Sequence, residues 1–82
     1  MVRLHQHAKE RLIERGATEN EGIATIKEGE TFPVKYGRTG FRRNFSFNGK
    51  WREKQYATKQ IEAYAVREGN DWLVITVIIR YF

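Results

Sequence analysis

The amino-acid sequence predicts an α+β fold in which two N-terminal helices pack on a four-stranded, antiparallel, twisted sheet. Three observations lead to this prediction. Apolar residues recur at helical spacing in residues 1–30, alternation of apolar and polar residues dominates residues 31–82, and the single proline, Pro33, lies near the boundary. A chain of 82 residues is expected to form one domain around one core.

The first helix is predicted from about His5 to Arg15. Gly16 follows it as a natural residue for the left-handed position after a helix. The helix has an apolar stripe that should face the core, formed by Leu4, Ala8, Leu12 and Ile13.

The second helix is predicted from about Glu19 to Glu28. Thr18 followed three residues later by Glu21 is the signature of a capping box, in which each residue binds the other's backbone N–H. The helix should bury Ile23 and Ile26.

Four strands are predicted in the second half, at about residues 31–36, 41–47, 61–68 and 72–82. Pro33 cannot donate a backbone hydrogen bond, so the first of these strands should lie at an edge of the sheet. The segments "NGK" at 48–50 and "GND" at 69–71 are typical of turns.

The alternation also predicts which side chains share a face of the sheet. In the last strand, the face expected to pack on the helices contains Leu73, Ile75, Val77, Ile79 and Tyr81. The opposite, open face should present Arg42, Asn44, Ser46, Thr76 and Arg80 together. Arg43 falls on the apolar side with Phe41, Phe45 and Phe47.

Composition narrows the class of protein. The chain has no cysteine, which excludes disulfides and thiolate metal sites, and its start lacks the apolar segment of a signal peptide. The apolar run at 72–79 is too short to cross a bilayer. We therefore expect a cytoplasmic protein without membrane association. His5 and His7 are poorly spaced to bind one ion on a helix, so we expect no metal and no cofactor.

The positive charge is concentrated in one segment. The net charge is +5, but residues 35–54 hold seven basic side chains against one acidic side chain, whereas the rest of the chain holds eight against nine. A localised basic segment attracts nucleic acid, an acidic protein or an anionic surface.

Longer stretches of the sequence resemble a known group of proteins. The segment "HAKERLIERGATENEGIATIKEGE", together with "GRTGFRRNF", "IEAYAV" and "WLVITVIIRYF", resembles a small, uncharacterised bacterial family that carries only a domain-of-unknown-function label. That family is similar to the RelE/ParE toxin superfamily, whose members place two helices before a four-stranded antiparallel sheet. The resemblance covers nearly the whole chain.

This resemblance implies a toxin-like module of a toxin–antitoxin system. RelE-type members cleave messenger RNA at the ribosome without a metal, and ParE-type members act on DNA gyrase. Both usually pair with an antitoxin, which here would be an acidic protein. RelE-type catalytic residues lie on the sheet and near the C-terminal end, which points to Arg80 and Tyr81 in the last strand.

Candidate catalytic residues for a metal-free endoribonuclease are His7, Arg43, Arg80 and Tyr81. Such cleavage needs a base, an acid and cations at the phosphate, and histidine titrates near neutral pH. Each candidate also has a structural alternative. His7 could hydrogen-bond the sheet, and Arg43 could pair with a helix glutamate. Arg80 could belong to an ordinary exposed sheet face, and Tyr81 could belong to the core. The sequence leaves these alternatives open.

Candidate RNA-binding residues are the remaining cations of the basic segment and one side of the first helix: Arg11, Arg15, Lys35, Arg38, Arg42, Lys50, Arg52 and Lys54. Tyr36 and other aromatic residues could stack on bases, although core packing is the commoner role for such residues. Two hypotheses follow. One is a toxin-like endoribonuclease, and the other is a non-catalytic module that binds nucleic acid, with RNA preferred over DNA, or an acidic protein.

Overall fold

The computed structural model describes all residues from Met1 to Phe82. The elements are β1 (Val2–Leu4), α1 (Gln6–Glu14), α2 (Glu19–Glu28), β2 (Glu30–Pro33), β3 (Thr39–Trp51), β4 (Lys54–Glu68) and β5 (Asp71–Tyr81). They form one five-stranded sheet in the order β1-β5-β4-β3-β2, with both helices on one face. Neither helix is long and apolar enough to cross a membrane.

The predicted four-stranded antiparallel sheet is wrong, because β1 adds a fifth strand that runs parallel to β5. Backbone hydrogen bonds from Trp72 N to the Met1 carbonyl and from His5 N to the Val74 carbonyl, both 2.9 Å, hold it in place. Three residues are too few for alternation to be recognised, and their partners lie about 70 positions away in the chain.

Both helices form close to where they were predicted. In α1, His5 caps the N-terminus by accepting a hydrogen bond from His7 N at Nδ1, and Gly16 adopts φ +79° after the C-terminus. In α2, Thr18 and Glu21 form the predicted capping box, with both hydrogen bonds at 3.0 Å. The predicted apolar stripe of α1 is wrong at Ile13, which is exposed.

The longest feature is the hairpin of β3 and β4, whose strands have 13 and 15 residues. The turn predicted at 48–50 is wrong. Phe47 and Asn48 form a bulge opposite Ala57 of β4, and β3 continues to a two-residue turn at Arg52 and Glu53, both at positive φ. The strand containing Pro33, β2, lies at an edge as predicted.

The core lies between the helices and the sheet. Its buried apolar residues are Ala8, Leu12, Ala17, Ile26, Phe41, Ile61, Ala63, Ala65, Val74 and Val77. A bulge at Ile75 reverses the alternation within β5, so Trp72 and Val74, rather than Leu73, share the helix side with Val77. The predicted helix-facing set is therefore wrong at Leu73 and Ile75 and correct at Val77, Ile79 and Tyr81.

Candidate nucleic-acid interface

A buried carboxylate organises the open face of the sheet. Glu62 in β4 is 6% exposed, and its Oε2 accepts a hydrogen bond from Arg42 Nε at 2.9 Å and lies 3.0 Å from a terminal nitrogen of Arg80. Its Oε1 accepts a hydrogen bond of 2.9 Å from the Tyr64 hydroxyl. Arg42 and Glu62 are direct neighbours across β3 and β4, which places them on one face.

These partners set the ionisation of the cluster. Burial alone would raise the pKa of Glu62, but the hydrogen bonds from Arg42 and Tyr64 and the charge of Arg80 outweigh burial and lower that pKa. Burial and the hydrogen bond to Glu62 raise the pKa of Tyr64. At neutral pH the cluster therefore holds two guanidinium groups, one carboxylate and a neutral tyrosine, with a net charge of +1.

The open face matches the sequence prediction in its membership. By strand register, Arg42, Asn44, Ser46, Thr76 and Arg80 all lie on it, and Gln60 donates a hydrogen bond to the Asn44 side chain. The Arg42 and Arg80 side chains are 39% and 50% exposed, so N–H groups not used by Glu62 face solvent. Such groups can bind a phosphate, although the same guanidinium groups are already paired.

Arg43 lies on the other side of the sheet. Its guanidinium group makes a 2.9 Å ion pair with Glu28 of α2 and stacks 4.8 Å from the centre of the Phe45 ring. The sequence left two roles open for Arg43, a catalytic role and an ion pair with a helix glutamate. The structure shows the ion pair. Arg43 and Arg80 therefore lie on opposite faces of the sheet and do not meet.

Tyr81 ties β5 to the end of α1. Its hydroxyl donates a 2.6 Å hydrogen bond to the Arg15 carbonyl, and its ring stacks on Trp51 at a centroid distance of 5.1 Å. Burial, with a smaller contribution from the charge of Glu21, raises the pKa of Tyr81. These contacts describe a structural anchor on the helix side.

His7 lies exposed in the first turn of α1, and its side chain makes no hydrogen bond to the sheet. Because α1 and Arg80 are on opposite sides of the sheet, the four candidate catalytic residues are not brought together.

The end of the β3–β4 hairpin forms a second basic region, which we call the basic tip: Lys50, Arg52 and Lys54, with Arg15 at the adjoining end of α1. All four are exposed. The two elements meet at Gly16, where a Cβ atom would lie 2.6 Å from both Trp51 Cζ3 and the Tyr81 hydroxyl oxygen. The Arg52 guanidinium carbon lies 5.2 Å from the centre of the Trp51 ring.

Most of the predicted RNA-binding residues have no acidic partner in the structure. The chain makes six ion pairs, and of the eight predicted residues only Arg42 takes part in one. The seven without an acidic partner are Arg11, Arg15, Lys35, Arg38, Lys50, Arg52 and Lys54. No carboxylate lies within ion-pair distance of their charged groups.

These cations do not form one continuous patch. Lys35 and Arg38 lie in the turn between β2 and β3, at the opposite end of β3 from the basic tip. At about 3.3 Å per residue, the 13 residues of β3 separate the two ends by roughly 40 Å. The molecule itself is 41 Å long.

Sequence reasoning missed two central residues, Glu62 and Lys59. Lys59 is buried on the helix side, where its Nζ donates to Glu21 Oε1 at 2.8 Å and to the Gly16 carbonyl at 3.0 Å. A signal for Lys59 existed, because it shares alternation with Ile61, Ala63 and Ala65 and so points into the core.

Comparison of the chain with protein-family models, curated proteins and solved structures finds no match. The resemblance to RelE/ParE toxins therefore rests on the sequence motifs alone.

Proposed function

We propose that this protein is a small RNA-binding module that holds RNA through its unpaired basic residues and does not cleave it. The observation that carries the proposal is the absence of an acidic partner for seven of the eight predicted RNA-binding cations. A free cation gains affinity by releasing the counterions of a phosphate, whereas a paired cation must first give up its carboxylate.

Binding is favoured over catalysis by the positions of the candidate catalytic residues. Metal-free cleavage needs proton donors, acceptors and cations around one phosphate. Arg43 and Arg80 lie on opposite faces of the sheet, and the Tyr81 hydroxyl donates to a backbone carbonyl. The endoribonuclease and toxin roles implied by the RelE/ParE resemblance stay predictions, and the experiment below also tests cleavage.

RNA is proposed ahead of DNA because the RelE-type members of the superfamily that the sequence resembles act on RNA. An acidic protein is the remaining candidate partner, and it would use the same unpaired cations.

The experiment compares three proteins on the same labelled single-stranded RNA: the wild type, the tip variant Arg52→Ala/Lys54→Ala, and the control variant Lys9→Ala/Lys27→Ala. Lys9 and Lys27 also lack ion pairs, but they lie on the helices, outside the predicted RNA-binding set. Each variant loses two positive charges, so the comparison separates the position of the charges from their number. We expect the tip variant to bind roughly tenfold more weakly and the control to bind like the wild type.

The RNA is then run on a denaturing gel, with chelator present, to detect cleavage. Intact RNA together with tip-dependent binding supports the proposal. Cleaved RNA, or no binding at low salt, refutes it. Tighter binding to duplex DNA than to RNA would reassign the target.

A further inference from the structure

Tyr36 is the most exposed large apolar side chain of the protein, at 90%. It lies in the turn between β2 and β3, where it and Gly37 both have positive φ, +65° and +70°. A bulky residue rarely adopts this conformation. The turn therefore presents the ring to solvent.

The other aromatic residues behave differently. Every aromatic side chain except Tyr36 and Phe82 packs against another ring or beneath a cation. In the same region, Phe32 packs edge-on against Tyr64 and lies directly over Gly40, where a side chain would collide with it. Tyr36 therefore has no aromatic or cationic packing partner, whereas the neighbouring rings Phe32 and Tyr64 pack against each other.

The charges around Tyr36 are also unpaired. Lys35 and Arg38 flank it in the turn, and neither takes part in an ion pair. No acidic residue occurs between Glu30 and Glu53. A free aromatic face between free cations matches the chemistry of a nucleotide, which offers a flat base next to phosphate.

We propose that Tyr36 stacks on an unpaired base while Lys35 and Arg38 contact the adjoining phosphates, so that the protein prefers single-stranded RNA. This inference rests on the proposed RNA binding and names the form of RNA that is bound. Bases in a duplex are already stacked on their neighbours, so only an unpaired base can reach the ring. An acidic protein would neutralise the two cations but offers the ring no flat base.

The test uses the full chain and an RNA of about 16 nucleotides, single-stranded or paired with its complement. The variants are Tyr36→Ala and Tyr36→Phe, the second of which keeps the ring. We expect Tyr36→Ala to weaken single-strand binding by about 5- to 100-fold, with duplex binding unchanged and Tyr36→Phe close to the wild type. The salt dependence should not change, because no charge is removed.

A base analogue gives a direct readout of stacking. With 2-aminopurine in the single strand, the wild type and Tyr36→Phe should change its fluorescence, and Tyr36→Ala should not. If Tyr36→Ala binds single strands like the wild type, or weakens duplex and single strand equally, the inference fails while RNA binding by the basic tip stands.

If the wild type binds no RNA, the proposed function fails first. Tyr36-dependent binding to polyglutamate without RNA binding would overturn both and assign the turn to an acidic protein.

Discussion

Replacing Lys59 by methionine should destabilise the protein by about 3 kcal/mol. The Lys59 side chain is 8% exposed, and its ammonium group joins three parts of the fold: strand β4, the Glu21 carboxylate of α2 and the Gly16 carbonyl after α1. Methionine keeps the apolar stem but removes both hydrogen bonds.

The magnitude follows from these two contacts. A hydrogen bond between charged groups contributes about 1.5–3 kcal/mol, and the 25% exposure of the Glu21 side chain favours a value near 2 kcal/mol. Leaving the Gly16 carbonyl without its partner adds about 1 kcal/mol. For a domain of this size the sum lowers the midpoint of thermal unfolding by roughly 15 °C.

Urea unfolding followed by tryptophan fluorescence measures this change, and the slope m should stay constant. A double-mutant cycle with Glu21→Gln isolates the pair, and we expect a coupling energy of at least about 1 kcal/mol. If Lys59→Met unfolds within about 0.5 kcal/mol of the wild type, or if the two substitutions are additive, the buried pair does not hold the α1–α2 turn as described.

Three further predictions concern the sheet and its ends. Because the folded state lowers the pKa of Glu62, its contribution to stability is complete above about pH 4.3 and is lost as the pH falls through the lowered value. Glu62→Gln should therefore flatten the acid limb of the stability–pH curve in urea unfolding, and parallel curves would contradict the assignment. Gly16→Ala should cost about 2 kcal/mol or more, because φ is +79° and the added Cβ meets Trp51; a neutral effect on the urea midpoint would be inconsistent with this packing. Tyr81→Phe should cost about 1 kcal/mol and leave RNA affinity unchanged, since the hydroxyl binds the Arg15 carbonyl; lost affinity at full stability would instead place the hydroxyl in the RNA site.

Local signals in the sequence were enough for the helices and for the edge strand. The capping box of Thr18 and Glu21 acts within four residues, and Pro33 lacks a donor wherever it is placed. The capping box and the edge position of Pro33 both follow from residues that are close together in the sequence, so they could be predicted without knowledge of the fold.

Long-range pairing decided the features that the sequence did not reveal. Strand β1 exists because Val2–Leu4 meets β5, and the bulge at Ile75 cannot be read from a strand that is apolar on both sides. The turn at Arg52 and Glu53 has no glycine, although "NG" at 48–49 is the better turn sequence.

In the candidate site, too, local sequence patterns were predictable and long-range contacts were not. Alternation correctly grouped Arg42 with Arg80 on the open face, but it could not show that one carboxylate, Glu62, holds both. Alternation grouped Arg43 with the apolar side but left its orientation and role open, and its partner Glu28 was not identified. Which cations stay unpaired depends on every acidic residue that folding brings near, so this property appears only in the structure.

The salt dependence of RNA affinity tests the central claim most directly. Each phosphate contact on a single strand contributes about 0.7 to the slope of log K against log salt concentration. Removing Arg52 and Lys54 should therefore lower the slope by about 1.4, whereas removing Lys9 and Lys27 should leave it unchanged. Equal changes in both variants would contradict the account, because they would show that overall charge, and not the unpaired cations of the basic tip, attracts the RNA.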